Sequence, residues 1–360
     1  MTRVVILTTN DFCTDRRVMK VASVFRQLNF ELILLGRLTH NSQPLQLDAQ
    51  VKRFRMLFHH SFLFYAEYNV RAFFYLLFAS YSHILSNDTD TLPAAFLVSK
   101  LRRKKLLFDA HELFPEVPEL HNRKFVKNCW HGIEQFIFPQ LKFSYTVSRS
   151  IAQHYNRKYG MQMQVVRNMP ELQMHEKGIN NFGSEKIILY QGALNKGRGL
   201  EWIIDAMPFV DKAMLLIIGT GDIEKQLHER VLLNGTADKV KFLGRIDGNE
   251  LTKYTALASV GLCMLEPLGL SYQYALPNRI FDYLHANVPV IATDFNEIRA
   301  IVDTYKTGVL INTQDPKQIA LAVNKILNEG FDTSHFATVA QQLCWENESK
   351  KLIEIIRKTL

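Results

Sequence analysis

Short apolar runs alternate with amphipathic segments along the whole 360-residue chain, and this alternation restricts the possible folds more than any other feature. Residues 4–8 and 31–35 are typical of buried strands, and residues 16–28 are typical of a helix with one apolar face. Nearly continuous apolar strands separated by helices indicate a parallel sheet that helices cover on both faces. The first part of the chain is therefore predicted to be an α/β domain built from βαβ units.

The alternation restarts after a stretch without periodicity, which predicts a second doubly wound sheet. Further strands are predicted at residues 84–86, 105–108, 144–147, 186–190, 214–218, 239–243, 260–264, 289–292 and 308–311. Further helices are predicted at residues 92–101, 126–137, 200–207, 223–232, 250–258, 278–285 and 316–328. The predicted domains are residues 1–168 and 186–344, with a linker over 169–185 and a final amphipathic helix over 345–360.

Positive charge is concentrated in the first half of the chain. Residues 1–168 carry 23 basic and 12 acidic side chains, whereas the remainder carries 20 basic and 23 acidic ones. This balance fits a polyanion, an anionic membrane or a phosphate-bearing substrate without choosing among them. The four cysteines have no disulfide or zinc spacing, which indicates a reducing compartment and no metal. The apolar stretch at 72–86 is too short to span a membrane, and we recognise no signal peptide.

A glycine-rich loop follows the predicted strand at 186–190 and precedes a helix. It contains Gly192, Gly197 and Gly199 together with Lys196 and Arg198. Backbone amides and cations in this position can bind a diphosphate, although a glycine turn with solvated charges has the same sequence. The Gly219-Thr220-Gly221 turn lacks the third glycine of a dinucleotide fingerprint and is interpreted as a tight turn.

Two other segments place polar residues beside predicted strand or helix ends. Pro277 and Asn278 begin a helix whose free amides could bind an anion, with Arg279 adding charge. Asp282 could bind sugar hydroxyls or could be an ordinary surface carboxylate. Asp109, His111 and Glu112 lie at or just after the predicted strand at 105–108, where either a ligand contact or a structural histidine is possible. We find no serine-hydrolase elbow, P-loop or zinc-protease motif.

The order and spacing of these segments resemble the family 4 glycosyltransferases of the GT-B fold, particularly the bacterial branch that builds surface polysaccharides. The resemblance rests on residues 15–18, 109–113, 147–151, 165–168, 191–199, 242–245, 274–283 and 288–292. It implies two Rossmann-like domains facing across a cleft and a final helix that returns to the first domain. It also implies a nucleotide diphosphate sugar donor, retention of anomeric configuration, and no metal or other cofactor.

The resemblance assigns roles to individual positions. The implied catalytic residues are His111, Lys196 and Arg198. The implied donor-binding residues are Gly192, Gly197, Arg245, Ile246, Pro277, Asn278, Arg279 and Asp282, and the acceptor side is assigned Asp15, Arg16 and Glu112. The chain departs from the family pattern at position 274, where Tyr274 stands in place of the first acid of the E-x7-E motif. The nearest upstream acid, Glu266, is out of register with that motif. Ala193 replaces a common arginine, and Arg279 is the candidate substitute.

The expected function is that of a cytoplasmic transferase on the inner face of the cell membrane. It would move a hexosyl or N-acetylhexosaminyl group from a UDP-sugar, or a GDP-sugar, to a lipid-linked or oligosaccharide acceptor in lipopolysaccharide or capsule synthesis. A segment at residues 54–81 with 11 aromatic residues is interpreted either as a buried helix pair or as a helix lying on an anionic membrane. A sugar-nucleotide epimerase of the same fold is the neighbouring alternative. A nucleic-acid-binding protein is disfavoured because basic and aromatic residues do not interleave.

Overall fold

The chain forms two compact units in a computed structural model that describes residues 2–12, 15–40, 42–44, 47–120, 123–172 and 185–360. The first unit comprises residues 1–168 together with Glu348–Leu360, and the second comprises residues 169–347. Most of the predicted linker, at positions 173–184, lies outside the described residues.

The first unit is a parallel sheet of seven strands flanked by helices. The strands are β1 (Arg3–Leu7), β2 (Glu31–Arg37), β3 (Gln50–Phe54), β4 (His83–Asn87), β5 (Lys105–Ala110), β6 (Ser144–Thr146) and β7 (Gln164–Val165), in the spatial order β3-β2-β1-β4-β5-β6-β7. The helices are α1 (Arg16–Gln27), α2 (Ser61–Phe78), α3 (Asp88–Leu101), α4 (Lys124–Ile137) and α5 (Arg149–Tyr159).

The second unit is a parallel sheet of six strands. The strands are β8 (Lys186–Gln191), β9 (Ala213–Ile218), β10 (Val240–Gly244), β11 (Val260–Cys263), β12 (Val290–Thr293) and β13 (Gly308–Ile311), in the order β10-β9-β8-β11-β12-β13. The helices are α6 (Leu200–Ala206), α7 (Glu224–Leu233), α8 (Gly248–Leu257), α9 (Leu270–Gln273), α10 (Asn278–His285), α11 (Asn296–Tyr305), α12 (Pro316–Glu329) and α13 (Phe336–Gln342). A final helix, α14 (Trp345–Thr359), follows them.

Both sheets reverse their strand order beside the first strand of the unit, as doubly wound sheets do. In the first unit β1 pairs with β2 on one side and with β4 on the other, and in the second β8 pairs with β9 and β11. The central strands are almost fully buried because helices cover both faces. The predicted fold class, two doubly wound parallel sheets, is confirmed.

The boundary between the two units falls within the final helix, α14, after residue 347. Its first turn adjoins the second unit, where the Trp345 amide donates to the Pro170 carbonyl at 2.8 Å. From Glu348 onward it belongs to the first unit: the Arg167 amide donates to Glu348 Oε1 at 2.8 Å, and Lys105 Nζ donates to the Leu360 carbonyl at 3.2 Å. Apolar side chains of this helix, including Leu352 and Ile356, are buried.

The aromatic segment forms a single helix, α2, preceded by the end of β3, so the first of its two interpretations, a buried helix pair, is wrong. One face, with Phe64, Tyr68, Ala72 and Leu76 at four-residue spacing, is buried. The opposite face is offset by two positions, which is about 200° around a helix. It exposes Phe62, Val70, Phe74 and Phe78, so part of the aromatic content packs in the core and part is exposed to solvent.

Candidate functional site

Three loops interlock at the carboxyl edge of the second sheet. The Gly192 amide donates to the Ile218 carbonyl at 2.9 Å, and the Gly219 amide donates to the Gly244 carbonyl at 2.8 Å. Gly219 has φ +141°, and a Cβ there would lie 1.9 Å from the Gly192 carbonyl oxygen. Only glycine allows the two loops to approach this closely. The tight turn predicted at Gly219 therefore holds the glycine-rich loop in place.

Arg279 reaches the glycine-rich loop from α10. Its side chain is buried, its guanidinium carbon lies 4.4 Å from the centre of the Tyr190 ring, and its Nη2 is 3.3 Å from the point that a Cβ on Gly192 would occupy. Among the described residues Nη1 has no hydrogen-bond partner. A buried guanidinium with an unpaired N–H group favours an anion beside it, because an unsatisfied charged donor is costly.

Arg198 and Lys196 lie on the next turn of the same loop. The Arg198 guanidinium carbon is 4.8 Å from the centre of the Tyr272 ring, and the buried Nε has no hydrogen-bond partner within the described part of the chain. The Lys196 side chain is exposed. Gly197 is closely packed, since a Cβ there would meet Leu268 at 2.8 Å. The loop thus brings cations to one edge of the sheet, and its backbone is exposed at Gly192.

Glu266 lies beside this loop, although the sequence placed it out of register. Its amide donates to the Gly197 carbonyl at 2.9 Å. Burial and the neighbouring Glu201 raise the pKa of the Glu266 carboxyl, and Lys196 opposes that rise. Tyr274, which occupies the motif position, is partly buried. An acid is therefore present next to the predicted diphosphate loop, but it comes from the loop after β11.

Asp282 is linked to the end of β8 by side chains. Gln191 Nε2 donates to Asp282 Oδ2 at 3.1 Å, and the Thr255 hydroxyl donates to Gln191 Oε1 at 2.8 Å. Asp282 therefore lies on the strand-end side of α10, beside the glycine-rich loop. Pro277 is the N-terminal cap of α10. Of the other predicted donor-binding residues, Asn278 and Arg245 are exposed, and Ile246 packs partly against the core of the unit.

The first unit carries a separate buried charge cluster at the carboxyl edge of its sheet. Arg17 donates to both oxygens of Asp109, from Nε at 3.0 Å and from Nη2 at 2.7 Å. Both side chains are almost completely buried. Arg17 also donates to the Val166 carbonyl at 3.2 Å. Burial opposes ionisation of Asp109, but Arg17 and His111 outweigh it and lower the pKa of Asp109 to about 2.

His111 extends this cluster to the start of α3. Its Nδ1 lies 3.1 Å from Asp88 Oδ2, its Nε2 lies 3.2 Å from Asp109 Oδ2, and its amide donates to Asp88 Oδ1 at 2.6 Å. Burial of the ring opposes its protonation, but the two carboxylates prevail and hold the pKa of His111 well above its ordinary value. His111 is therefore part of a connected network rather than a lone histidine.

Asp90 lies behind Asp88 in the same region. It is buried and accepts a hydrogen bond from the Thr9 hydroxyl at 2.5 Å. Burial and the neighbouring Asp88 raise the pKa of Asp90 to about 7. Shifts of this size concentrate at functional sites, which makes the cluster a second candidate site.

The residues predicted for the acceptor side lie at the border of this cluster. Asp15 caps α1, because its Oδ1 accepts a hydrogen bond from the Val18 amide at 3.1 Å. Arg16 is exposed, and the Glu112 carbonyl accepts from the Tyr155 hydroxyl at 3.2 Å. In the segment Asp15–Val18 it is Arg17 that enters the charge cluster, and the sequence analysis missed that role.

The structure brings together Gly192, Gly197, Lys196, Arg198, Arg279 and Asp282 on the second unit and places His111 on the first. Within the described ranges, no group of three or more His, Cys, Asp or Glu side chains is arranged to hold a metal ion. Every helix formed by the described residues is too short or too polar to span a lipid bilayer.

Comparisons with known proteins agree with this architecture. Residues 185–329 match the family model of the glycosyl transferases group 1. A phosphatidyl-myo-inositol mannosyltransferase of Mycobacterium leprae is 29% identical over 148 residues, which cover 39% of this chain and 37% of that protein. The chain spans less than half the length of this and the other curated relatives it matches first.

Solved structures match nearly the whole chain. A sucrose-phosphate synthase of Thermosynechococcus elongatus superimposes with a TM-score of 0.82 at 17% identity and covers 99% of both chains. The Anabaena protein HepE, solved in complex with UDP and glucose, has a TM-score of 0.79 at 14% identity over 99% of this chain and 100% of that one. The chain therefore has the GT-B fold and resembles the family 4 glycosyltransferases, and residues 185–329 carry its match to the glycosyl transferases group 1.

Proposed function

We propose that the protein transfers a sugar from a nucleotide diphosphate sugar to a glycan or lipid-linked acceptor, with retention of anomeric configuration. The observation that carries this proposal is the buried guanidinium of Arg279, which lies next to Gly192 of the glycine-rich loop and whose Nη1 has no hydrogen-bond partner in the part of the chain that the structure describes. An enzyme that releases a diphosphate must stabilise the negative charge that develops on it. Arg279 supplies the cation missing at Ala193.

Lys196 and Arg198 complete the proposed diphosphate site. The Arg198 guanidinium is held against Tyr272, so little reorganisation is needed when charge develops on the leaving group. Lys196 is exposed at the loop tip and adds a mobile cation. The accessible backbone around Gly192 provides room for the phosphates to approach.

The remaining donor contacts are assigned around these cations. Asp282 binds the ribose hydroxyls, with its carboxylate oriented by Gln191. The backbone at Arg245 and Ile246, after β10, reads the base, and the α10 N-terminus at Pro277 and Asn278 faces the phosphates. A UDP-sugar is favoured because a structural neighbour was solved with UDP and glucose, and a GDP-sugar is the second choice. No metal is required in this proposal.

The acceptor is proposed to be lipid-linked, with the first unit lying on an anionic membrane as a peripheral protein. The exposed apolar stripe of α2 supports this, and so does a relative whose name specifies a phosphatidyl-myo-inositol substrate. The end of α3 adjoins the stripe, because Arg102 Nη1 donates to the Ala79 carbonyl at 2.6 Å. Leu101 is exposed there, as are Lys100 and Arg103, which would meet lipid head groups.

Three other basic residues of this region have structural contacts. Arg102 also donates to the Leu76 carbonyl at 2.8 Å and stacks on Tyr81, Lys104 lies over the same ring, and Lys105 bonds to the C-terminal residue. A membrane test should therefore leave them unchanged and alter the exposed Arg103 and Lys100, of which Lys100 also lies 5.1 Å from the centre of the Phe96 ring.

The transferase proposal is tested by incubating the protein with a panel of UDP- and GDP-sugars and acceptors and measuring nucleoside diphosphate release. Release with one donor, strongly reduced in Arg198→Ala, is expected, and NMR of the product should show the retained anomer. Absence of release with every donor and acceptor would contradict the proposal. Conversion of the donor to an epimer without acceptor would instead identify an epimerase.

A further inference from the structure

His111 has carboxylate oxygens at both ring nitrogens. Nδ1 lies 3.1 Å from Asp88 Oδ2 and Nε2 lies 3.2 Å from Asp109 Oδ2. A neutral imidazole carries one N–H and one bare nitrogen, whereas an imidazolium carries two N–H groups, and a carboxylate can only accept. A bare nitrogen against either carboxylate would place two lone pairs in contact. Two carboxylate oxygens this close to the ring nitrogens therefore favour the charged form of the ring.

Neither carboxylate is free to turn away from the ring. Asp109 is held by two donors of Arg17, and Asp88 accepts the His111 amide at 2.6 Å through its other oxygen. Asp88 has φ +60°, a left-handed conformation that is uncommon outside glycine but is tolerated best by Asp and Asn. Strain of this kind persists where surrounding contacts enforce it.

We propose that Asp88 is a positioning residue that keeps His111 as a permanent imidazolium, so that His111 supplies a fixed positive charge and takes no part in proton transfer. The use of this charge in catalysis rests on the proposed sugar transfer, whereas the charge state of the ring does not. The Nε2 atom is buried and has no hydrogen-bond partner among the described residues, so its 3.2 Å approach to Asp109 Oδ2 is an ion-pair contact rather than an aligned hydrogen bond. The ring side chain is 21% exposed, which leaves the charge close to solvent. A fixed positive charge at this edge of the first sheet would attract an anionic group of a bound substrate.

Other ionisable groups around His111 also affect the pKa of its ring. Asp88 and Asp90 face it from the start of α3, Asp109 from β5 and Arg17 from α1, while Tyr145 of β6 lies against the Arg17–Asp109 pair. The ionised acids in this set stabilise the positive ring, whereas Arg17 opposes it but is paired with Asp109. Asp88→Asn leaves the Arg17–Asp109 pair intact, so this variant isolates the effect of the Asp88 carboxylate on the pKa of His111.

The direct test is an NMR titration of the His111 ring in the ¹⁵N-histidine-labelled full chain, assigned from the signal missing in His111→Gln. The ring should stay charged up to about pH 8 in the wild type, and Asp88→Asn should lower its midpoint by about one pH unit or more. Asn accepts the same backbone conformation, so the variant should fold. A wild-type midpoint below pH 7, or no change in Asp88→Asn, would overturn the inference.

The pH dependence of the transfer rate provides a readout that a purely structural role would not change. Asp88→Asn should retain most activity near pH 6 and lose it progressively towards pH 8, as the less stabilised ring deprotonates. An equal loss at all pH values would contradict the fixed-charge role. If no donor supports turnover, the proposed function fails while the NMR titration still decides the state of His111.

Discussion

Arg17 and Asp109 are 92 positions apart in the chain and form a two-point ion pair that is almost completely buried. Removing Arg17 would leave the buried Asp109 carboxylate with His111 as its remaining cationic neighbour, and breaking a buried pair in this way costs up to about 3–5 kcal/mol. We expect Arg17→Met to lower the free energy of unfolding by this amount in urea denaturation. Arg16→Met is the matched control: Arg16 is exposed, so its loss should change stability by less than about 0.5 kcal/mol. Equal stability of the two variants would contradict the assignment.

Replacement of glycine by alanine should have opposite effects on stability at Gly219 and at Gly132. A Cβ on Gly219 would lie 1.9 Å from the Gly192 carbonyl oxygen, so Gly219→Ala should destabilise the protein by more than about 2 kcal/mol and displace the glycine-rich loop. Gly132 lies inside α4 with nothing within 4 Å of its added Cβ. Gly132→Ala should therefore stabilise the protein by about 0.5–1 kcal/mol. Thermal unfolding of both variants distinguishes these outcomes, and a neutral Gly219→Ala would refute the close approach.

The buried carboxyl group of Glu134 should make the free energy of unfolding depend on pH. Burial raises its pKa to about 7, against the opposing hydrogen bonds that the Tyr155 and Tyr159 hydroxyls donate to its carboxyl at 3.1 and 2.8 Å. Since the folded pKa lies above the unfolded one, the contribution of Glu134 is fully present below about pH 4.5 and is lost as the pH rises through about 7.

The measurement is the unfolding free energy of wild type and Glu134→Gln between pH 4.5 and pH 8. The variant should be more stable than the wild type at pH 8 by about 1–3 kcal/mol, and the difference should shrink towards pH 4.5. Other groups titrate in both proteins and cancel in the difference. A difference that does not vary with pH would contradict the raised pKa.

The proposed membrane surface predicts selective effects on vesicle binding. Replacing Lys100 and Arg103 by Glu should weaken binding to vesicles with anionic lipid at least tenfold, because each basic residue near such a surface contributes about 1 kcal/mol. Phe74→Ser with Phe78→Ser should weaken binding to the same vesicles. The control is Leu233→Ser, which removes an exposed apolar side chain from the second unit. Co-sedimentation measures all three, and unchanged binding in the first two would reject the surface.

The fold could be predicted from the sequence because most strands are short, apolar and bounded by polar turns. β3 was missed because Gln50–Phe54 carries Lys52 and Arg53 at the sheet edge, where burial does not select apolar residues. Helices α5, α9, α11 and α13 were also missed, and for the aromatic segment that forms α2 the sequence left two interpretations open, a buried helix pair and a helix on a membrane.

The site could be predicted only where a local motif marks it. Arg279 was named as a candidate because a charge is missing at Ala193, and the structure places it beside the glycine-rich loop. The position of Glu266 could not be predicted, since it reaches that loop through the chain path after β11. Arg17 left a signal that was overlooked: it falls in register with Val21 and Phe25 on the buried face of α1, and a charge at a core position requires a buried partner. Which acid becomes the partner of Arg17 depends on the order of the strands in the sheet, and this order cannot be read from the α1 sequence.

The central claim is that Arg279 and the glycine-rich loop bind the diphosphate of a nucleotide sugar, and calorimetric titration with UDP tests it most directly. UDP should bind the wild type, and Arg279→Gln should weaken binding at least tenfold, since hydrogen bonds to a charged group contribute about 1.5–3 kcal/mol. Arg299→Gln removes a cation from an exposed ion pair of the same unit and should leave binding unchanged. Failure of folded wild type to bind UDP or GDP, or unaltered UDP binding in a folded Arg279→Gln, would contradict the account.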